Sequence, residues 1–374
     1  MVVAAVLGFG VVYAQTLSSE IDGAFDQRSV DSIVTDRPVK PTDGDAGQAL
    51  NILLMGSDAR DGENGEIGGV VAGMRNDTTI LMHISADRER VELVSIPRDT
   101  QVDISDCTLF DGTVVQGWTG DFNIAFANGG SQGDSAEAAA CVINTVEDLT
   151  GIYIDHYAVV DFAGFEQIID ALGGVPMCIP GAISSIKANL DIEAGPQVLD
   201  GATALAYARL RTAETGDISG SDLQRITRQQ ELLNQIAATA LSKNLLTDVG
   251  ELTGFVRAAA EAMTMDPDLA NTKYLLGLAY SLSGIDRDAI HFATVPWAYT
   301  EDLNNVVLLP EAQQTWEQLR TDTPLTAVAA GDASSEFDAG HVDSDVELAN
   351  STTDADANSD SSSAVQSLLD ECAS

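Results

Sequence analysis

A chain of 374 residues is long enough for one large domain or two modest ones with a sizeable hydrophobic core. Hydrophobic residues make up 45% and charged residues 20% of it, which excludes global disorder. Asp and Glu outnumber Lys and Arg by 58 to 18, and the net charge of −40 at pH 7 excludes nucleic acid as a ligand of the general surface. An anionic ligand therefore requires one concentrated cationic site.

The N-terminal residues 2–14 are all apolar or small. This run is shorter than the roughly 20 residues of a membrane span and lacks a basic flank. Three interpretations compete: the outer end of a transmembrane helix, a signal peptide cleaved after Val12-Tyr13-Ala14, or a buried strand. We favour a truncated membrane anchor over residues 1–17, which places the remaining chain outside the cytoplasm.

The next segment, residues 18–47, is polar and contains Pro38 and Pro41, which is typical of a linker. Apolar patterning begins after it. The stretch LNILLMGSD predicts a buried strand, and TTILMHISADRERVELVSIPRD predicts two strands joined by a hairpin at Ala86–Arg90. A folded domain is therefore expected over residues 48–325.

Helices and strands alternate through the rest of this domain. SAEAAACVINTVEDLTG predicts a helix that closes at Gly151, and Asp200 is a plausible N-cap for a short helix. A long amphipathic helix is predicted from Ser221, residues 247–290 read as mainly helical, and two further strands precede a last helix near Pro310. The alternation predicts a single α/β domain.

Beyond Arg320 the sequence contains no Lys or Arg, and Asp, Ser, Ala, Asn and Thr dominate its composition. Such a segment cannot bury enough apolar surface to fold. We therefore expect residues 326–374 to form an acidic, disordered tail.

Two of the four cysteines, Cys107 and Cys141, bracket a glycine-rich stretch. A disulfide between them would pin that excursion and suits an oxidising compartment outside the cytoplasm. Free buried thiols are the alternative.

Arginines gather where predicted strands and helices begin or end, the usual position of site residues in α/β folds. The planar guanidinium matches two phosphate or carboxylate oxygens at once. Arg209 and Arg211 face the same way if their segment is extended and apart if it is helical. Surface ion pairs with the abundant carboxylates are the alternative role for any one arginine. The segments are GSDAR (Arg60), RNDT (Arg75), PRD (Arg98), YARLR (Arg209, Arg211) and DLQRITRQ (Arg225, Arg228).

The predicted helix that opens at Ser221 places Asp222, Arg225 and Gln229 on one face, because they are three and four residues apart. Its N-terminus offers free backbone N–H groups and the positive end of the helix dipole. This helix start therefore favours an anion. Arg228 points elsewhere, and we expect it to form a surface ion pair.

Two aspartates, Asp58 and Asp77, lie at the edges of apolar strands, one at an exit and one at an entry. If the strands are neighbours, both carboxylates can reach one hard cation. Mg²⁺ favours sites with few carboxylates, completed by water and phosphate oxygens. The alternative is that both are turn-forming or capping residues.

The ordered motifs GSDAR, RNDTTILMHI, VELVSIPRDTQV, NIAFANGG, LDGATALAYARLR and DLQRITRQQ resemble the LytR-CpsA-Psr family of cell-envelope proteins, in its actinobacterial form. The likeness is strong over residues 49–243 and weaker through VPWAY and NNVVLLPEAQQTW. The resemblance implies a single α/β sandwich domain with a central mixed sheet, whose flanking helices enclose an apolar pocket for a lipid.

The resemblance also implies a cell-membrane phosphotransferase with an extracytoplasmic catalytic domain. It would move a glycopolymer from a polyprenyl-pyrophosphate carrier to peptidoglycan through a phosphodiester link, with Mg²⁺ beside an arginine clamp. A polyprenyl-pyrophosphate hydrolase and a non-catalytic regulator of envelope assembly are the rival functions.

The four scattered histidines include His83 and His156, which we interpret as packing residues.

Carried over by position, Asp58 and Asp77 serve the metal, and Asp99 either positions Arg98 or assists proton transfer. Arg75 and Arg98 join Asp99 in the expected catalytic group. The expected phosphate-binding residues, some of them supporting, are Arg98, Asn123, Arg209, Arg211, Asp222, Arg225 and Gln229.

Overall fold

The computed structural model describes residues 23, 26–40, 47–59, 64, 67, 73–216, 222–242, 249–282, 284–285, 289–301 and 305–326. The strands are β1 (Asp26–Gln27), β2 (Leu50–Ser57), β3 (Asn76–Ile84), β4 (Val91–Ile96), β5 (Gln101–Asp103), β6 (Cys107–Thr108), β7 (Val114–Val115), β8 (Thr119–Asp121), β9 (His156–Val160), β10 (Val175–Ile179), β11 (Ile183–Ser185), β12 (Leu190–Ile192), β13 (Gly195–Leu199), β14 (Met263–Met265), β15 (Ile290–Thr294), β16 (Trp297–Tyr299) and β17 (Val306–Leu308). The helices are α1 (Ile124–Gly129), α2 (Ser135–Thr150), α3 (Phe162–Ala171), α4 (Gly201–Arg209), α5 (Asp222–Ser242), α6 (Val249–Ala262), α7 (Thr272–Leu282) and α8 (Ala312–Arg320).

A seven-stranded mixed sheet organises these elements, in the order β1-β14-β9-β2-β3-β4-β15. Strand β2 pairs antiparallel with β3 and parallel with β9, and β3 pairs antiparallel with β4. The β3–β4 connection is the hairpin expected at Ala86–Arg90. Helices cover the sheet, which confirms the predicted α/β domain with a central mixed sheet.

The two faces of the sheet bury different side chains, because successive residues of a strand point to opposite faces. Leu53 and Met55 of β2 join the core beneath α1, α2 and α8, where Trp316 is fully buried. Ile52 joins the core on the other face, with apolar residues of α6 and α7. A separate cluster lies among α3, α4, α5 and the β10–β13 hairpin, and includes Tyr207.

Much of the predicted linker packs onto the domain. Strand β1 pairs with β14 at the edge of the main sheet, and Val30, Ile33 and Val34 lie in the core. Arg37 then pairs with the buried carboxylate of Glu147 at 2.8 Å. Residues 26–40 therefore belong to the folded unit, which corrects the expectation that residues 18–47 are a linker throughout.

The predicted anchor, residues 1–17, and the acidic tail beyond residue 326 lie outside the described residues. Among the residues that are described, no helix combines the length and the apolar character that crossing a bilayer requires.

A disulfide fixes the segment between β5 and α1. A disulfide joins Cys107 in β6 to Cys141 in α2, with a Cα–Cα distance of 5.2 Å. The pair is the one favoured from the sequence. It closes a 34-residue separation, so the hairpin β6–β7 is held against α2.

Helix α4, which carries Arg209 at its end, begins at a carboxylate cap. Asp200 Oδ1 accepts a hydrogen bond from Thr203 N at 2.9 Å, which confirms the predicted N-cap. Hydrogen bonds from the Thr203 side chain and backbone hold the pKa of Asp200 below its usual value. The ionised cap therefore stabilises the folded state.

Replacing this cap should destabilise the protein in a pH-dependent way. We expect Asp200→Ala to lower the free energy of unfolding by about 1 kcal/mol at neutral pH. Because the folded-state pKa is lowered, the stabilisation is present above the unfolded-state pKa and is lost as the pH falls through the folded-state value. Urea denaturation at pH 7 and about pH 3 measures the difference. Asp200→Asn, which retains a neutral cap, is the control; equal stability of Asp200→Ala and wild type at pH 7 would contradict the prediction.

Candidate active site

The predicted site residues of the N-terminal strands meet at one end of the sheet. Because β2, β3 and β4 are successive antiparallel neighbours, the exit of β2, the entry of β3 and the exit of β4 share that end. Asp58 follows β2, Arg75 and Asp77 flank the start of β3, and Arg98 follows β4 closely. The topology therefore brings these four residues into one neighbourhood.

A register shift presents Asp77 at this end. Gly56 pairs with Thr78 and Ser57 with Asn76, so Asp77 is the additional residue of a β-bulge. Bulges redirect a side chain and occur frequently beside active sites. Asp77 is thereby released from the regular alternation of β3.

Asp58 is fixed against the backbone of the opposite strand. Its N–H donates to the Arg75 carbonyl at 2.8 Å, and its Oδ1 accepts from Arg75 N at 2.6 Å. The side chain of Arg75 is exposed and has no ion pair with another described residue. Asp58 is therefore held in place, while Arg75 faces the surroundings.

Arg98 lies between two carboxylates. Its Nη1 donates to Asp77 Oδ1 at 2.6 Å and its Nε donates to Asp99 Oδ2 at 3.2 Å. Only 18% of the Arg98 side chain is exposed. Asp99 thus contacts Arg98 in the manner expected of a positioning residue, and Asp77 forms an ion pair that was not predicted.

The loop that carries Arg98 is braced from both sides. Asn123, the residue before α1, donates its backbone N–H to the Arg98 carbonyl at 3.0 Å, and Val306 donates to the Asp99 carbonyl at 3.1 Å. Asp121 accepts hydrogen bonds from the side chains of both Gln101 and Asn305. The described contact of Asn123 with this site therefore passes through its backbone. The braces of Asp121 join residues far apart in the chain, and no local sequence pattern identifies them.

Arg209 reaches the same end of the sheet from α4. Its guanidinium lies 4.1 Å from the ring centroid of Phe162, which follows β9. Strand β9 runs parallel to β2, so Phe162 lies at the end where Asp58 lies. Arg211 is exposed just beyond α4 and has no ion pair with another described residue. The side chains of Asp222 and Arg225 lie outside the described residues.

A small cleft, partly open to solvent, lies between α5 and the sheet, and its cavity volume is about 10 Å³. This is room for about one water molecule. Thr78, the neighbour of Asp77 in β3, and Ser95 line the cleft from the sheet, and Gln229 lines it from α5. The other lining residues are Ile80, Leu93, Leu233, Phe292 and Ala293.

Arg228 is buried, which corrects the expectation of a surface ion pair. It is 7% exposed, and its Nη2 donates to the carbonyl of Leu210. Gln229 Nε2 donates to the carbonyl of Ala208 at 3.3 Å. Two adjacent side chains of α5 therefore hold the backbone on both sides of Arg209. Desolvation lowers the pKa of Arg228, and burial raises that of neighbouring Tyr207 to about 12.

The two histidines interpreted as packing residues lie within hydrogen-bonded networks. His83 Nδ1 lies 2.7 Å from Asn51 Oδ1, and His156 Nδ1 lies 3.0 Å from Asp266 Oδ1. His156 begins β9, so it lies at the end of the sheet opposite Arg98. Both contacts agree with a packing role.

The end of the sheet where these residues meet, here called the mouth, carries both signs of charge. Three carboxylates, Asp58, Asp77 and Asp99, lie there with four guanidinium groups, those of Arg75, Arg98, Arg209 and Arg211. No group of three or more His, Cys, Asp or Glu side chains suited to a metal ion occurs among the described residues. Two carboxylates at one sheet end still match the donor set of Mg²⁺, which keeps water and phosphate oxygens as its other ligands.

Comparison with known proteins decides the family. A sequence profile of the LytR_cpsA_psr family matches residues 11–323, most of the chain. The chain belongs to the LytR_cpsA_psr family. This confirms the resemblance drawn from the ordered motifs, and the matched range includes residues 26–40, which pack onto the domain.

Members of the LytR_cpsA_psr family with known names extend this assignment. The chain is 34% identical over 271 residues to the probable cell wall biosynthesis protein LcpB of Corynebacterium glutamicum, covering 70% of this chain and 58% of the relative. It is 29% identical over 269 residues to the polyisoprenyl-teichoic acid–peptidoglycan teichoic acid transferase TagU of Halalkalibacterium halodurans, covering 71% and 76%. The chain thus spans less than two thirds of the LcpB relative.

A solved structure of the family has the same fold. The LytR-Csp2A-Psr enzyme from Actinomyces oris matches with a TM-score of 0.54 and 20% sequence identity, over 76% of this chain and 93% of that one. At this identity the likeness establishes the shared fold alone.

Substitution of Arg228 tests whether its buried hydrogen bond to the Leu210 carbonyl stabilises the fold. We expect Arg228→Met to lower the free energy of unfolding by about 1–3 kcal/mol, because the buried Leu210 carbonyl loses its donor. Chemical denaturation measures this loss. Arg257→Met is the matched control, since Arg257 is 63% exposed in an i,i+4 pair with Glu261, and it should change stability by less than about 0.5 kcal/mol. Equal effects of the two substitutions would contradict the prediction.

Proposed function

We propose that this protein transfers a glycopolymer from a polyprenyl-pyrophosphate carrier to peptidoglycan. The observation that carries the proposal is the cluster at one end of the sheet, where Arg98 lies between Asp77 and Asp99. Arginine suits a pyrophosphate at this mouth. Ile80, Leu93 and Phe292 line a small apolar cleft nearby, which would have to widen to admit the first part of a polyprenyl chain. The names of the relatives support transfer to peptidoglycan.

The proposed reaction forms a phosphodiester. The hydroxyl oxygen of the acceptor sugar attacks the phosphorus atom that carries the glycopolymer. The bond between this phosphorus and the bridging pyrophosphate oxygen breaks, and polyprenyl phosphate leaves. Such transfers depend on positioning and charge neutralisation more than on a protein nucleophile.

The chain's own residues divide this work. Arg98, held by Asp77 and Asp99, is oriented before the substrate arrives. The exposed Arg75 and Arg211 are available to phosphate oxygens. The hydroxyl proton passes to a base at the mouth, for which the Asp99 carboxylate is the candidate beside Arg98.

Mg²⁺ is the cation that this proposal adds to the arginines. A pyrophosphate brings further negative charge to a mouth that already holds three carboxylates, and the four guanidinium groups there offset that charge only in part. Asp58 and Asp77 would hold the ion, which when bound neutralises phosphate charge.

We further propose an extracytoplasmic catalytic domain attached to the cell membrane through the N-terminal segment. The Cys107–Cys141 disulfide supports an oxidising compartment. The apolar character of residues 2–14, rather than the length of the run, supports attachment to a bilayer.

Removal of Arg98 tests the proposed reaction. We expect Arg98→Ala to reduce transfer about 100- to 1,000-fold, as loss of one transition-state donor does. The assay combines a short-chain polyprenyl-pyrophosphate oligosaccharide with peptidoglycan and measures linked product. Arg257→Ala is the control. Phosphate release that needs no acceptor, without linked product, would overturn the transferase in favour of a hydrolase; undiminished transfer by Arg98→Ala would overturn the site.

Binding of Mg²⁺ can be measured without the reaction. We expect saturating Mg²⁺ to raise the Tm of the wild type. At an Mg²⁺ concentration of 100 times the Kd, the free energy of unfolding should rise by about 2.7 kcal/mol. The rise should shrink in Asp58→Asn, which keeps the oxygen that accepts from Arg75 N but lacks the charge. Thermal unfolding with Mg²⁺ and with a chelator is the measurement. An equal Tm in both conditions would contradict the metal assignment.

A further inference from the structure

An exposed strip, here called the outer strip, consists of Val114, Gln116 and Trp118. Val114 is 54% and Trp118 50% exposed, and Gln116 is exposed between them. The intervening Val115 packs against the Cys107–Cys141 disulfide. This alternation places the outer strip on the outward side of an extended segment.

The outer strip is held rigid although it faces outward. Gly117 N donates to Asp106 Oδ1 at 2.7 Å, and Ile104 N donates to the Trp118 carbonyl at 3.1 Å. Thr119 Oγ1 donates to Asp103 Oδ1 at 2.6 Å. A surface fixed in this way loses little conformational entropy when a ligand binds.

The Trp118 indole covers Gly120. Its Nε1 lies 2.9 Å from where a Cβ of Gly120 would stand, and Ile124 Cδ1 lies 3.5 Å from the same point. The ring therefore lies along β8 on the side of α1. Asn123, the residue before α1, donates its backbone N–H to the Arg98 carbonyl. Gly120 pairs with Val102 of β5, the strand that begins three residues after Arg98.

The negative charge around the outer strip favours an uncharged ligand over an anionic polymer. Residues 101–134 contain five Asp and no Lys or Arg. A phosphate-rich polymer is repelled by such a surface, whereas uncharged sugar rings are not. An exposed indole offers a broad apolar face to the C–H face of a pyranose, and the Gln116 side chain can exchange hydrogen bonds with sugar hydroxyl groups.

We propose that the outer strip binds the acceptor: a chain of uncharged pyranose rings, stacked on Trp118 and continuing towards Arg98. The inference rests on the proposed transferase function and adds where the acceptor lies. Trp118 then acts as a specificity-determining contact of the acceptor. The donor polymer approaches from elsewhere.

The test uses the full chain and a soluble, uncharged tetrasaccharide of β-1,4-linked N-acetylglucosamine as probe. We expect Trp118→Ala to raise the Kd for the probe about tenfold, a loss of about 1.4 kcal/mol, without lowering the Tm. Gly120→Ala should weaken binding as well, because the new methyl group displaces the indole. Tyr280→Ala removes an aromatic ring that is 77% exposed on α7 and should leave the Kd unchanged.

The transfer reaction separates this inference from the proposed function. In that assay Trp118→Ala should raise the KM for the acceptor and leave the KM for the lipid-linked donor unchanged. Unaltered probe binding and acceptor KM in Trp118→Ala, with transfer still lost in Arg98→Ala, would overturn the outer strip and retain the transferase. Loss of probe binding in Trp118→Ala, in a wild type that forms no linked product, would support the outer strip and overturn the transferase.

Discussion

The ion pair between Arg98 and Asp77 is the contact on which the arrangement of the site depends. At 2.6 Å it joins the loop after β4 to the bulge at the start of β3, and Asp99 holds the same guanidinium from its other side. Because a guanidinium is planar, two carboxylates leave it few orientations. The guanidinium of Arg98 is thus oriented before any ligand binds. Such preorganisation is what the electrostatic role proposed for Arg98 needs.

The balance of charge around this pair constrains the chemistry. A cation that already faces two carboxylates attracts a third anion weakly, so the proposed pyrophosphate would need positive charge from other groups. Arg209 stacks on Phe162 at the same end of the sheet, and Arg211 lies just beyond it. Their segment is held by Arg228 and Gln229 of α5. Helix α5, which covers the cleft, therefore also holds the backbone that carries Arg209 and Arg211.

The sequence predicted elements whose signals are local and failed where partners are distant. The hairpin at Ala86–Arg90 and the helix end at Gly151, which has a φ of 65°, follow from turn chemistry and periodicity. The folded character of residues 26–40 has no clear local signal, because the three residues that become buried, Val30, Ile33 and Val34, are surrounded by polar sequence. Strand β14 has only three residues within a helical stretch. The burial of Arg228 and the bulge at Asp77 depend on packing and register, which no single segment encodes.

The packing of residues 26–40 onto the domain limits where a recombinant fragment can begin. A fragment that begins at residue 48, where the strong strand pattern starts, would lack Val30, Ile33 and Val34 and would uncover β14. It would also leave Glu147, whose side chain is only 2% exposed, without the guanidinium of Arg37. A buried carboxylate without its partner and an uncovered strand edge both favour aggregation or unfolding. Recombinant production therefore needs a start ahead of residue 26.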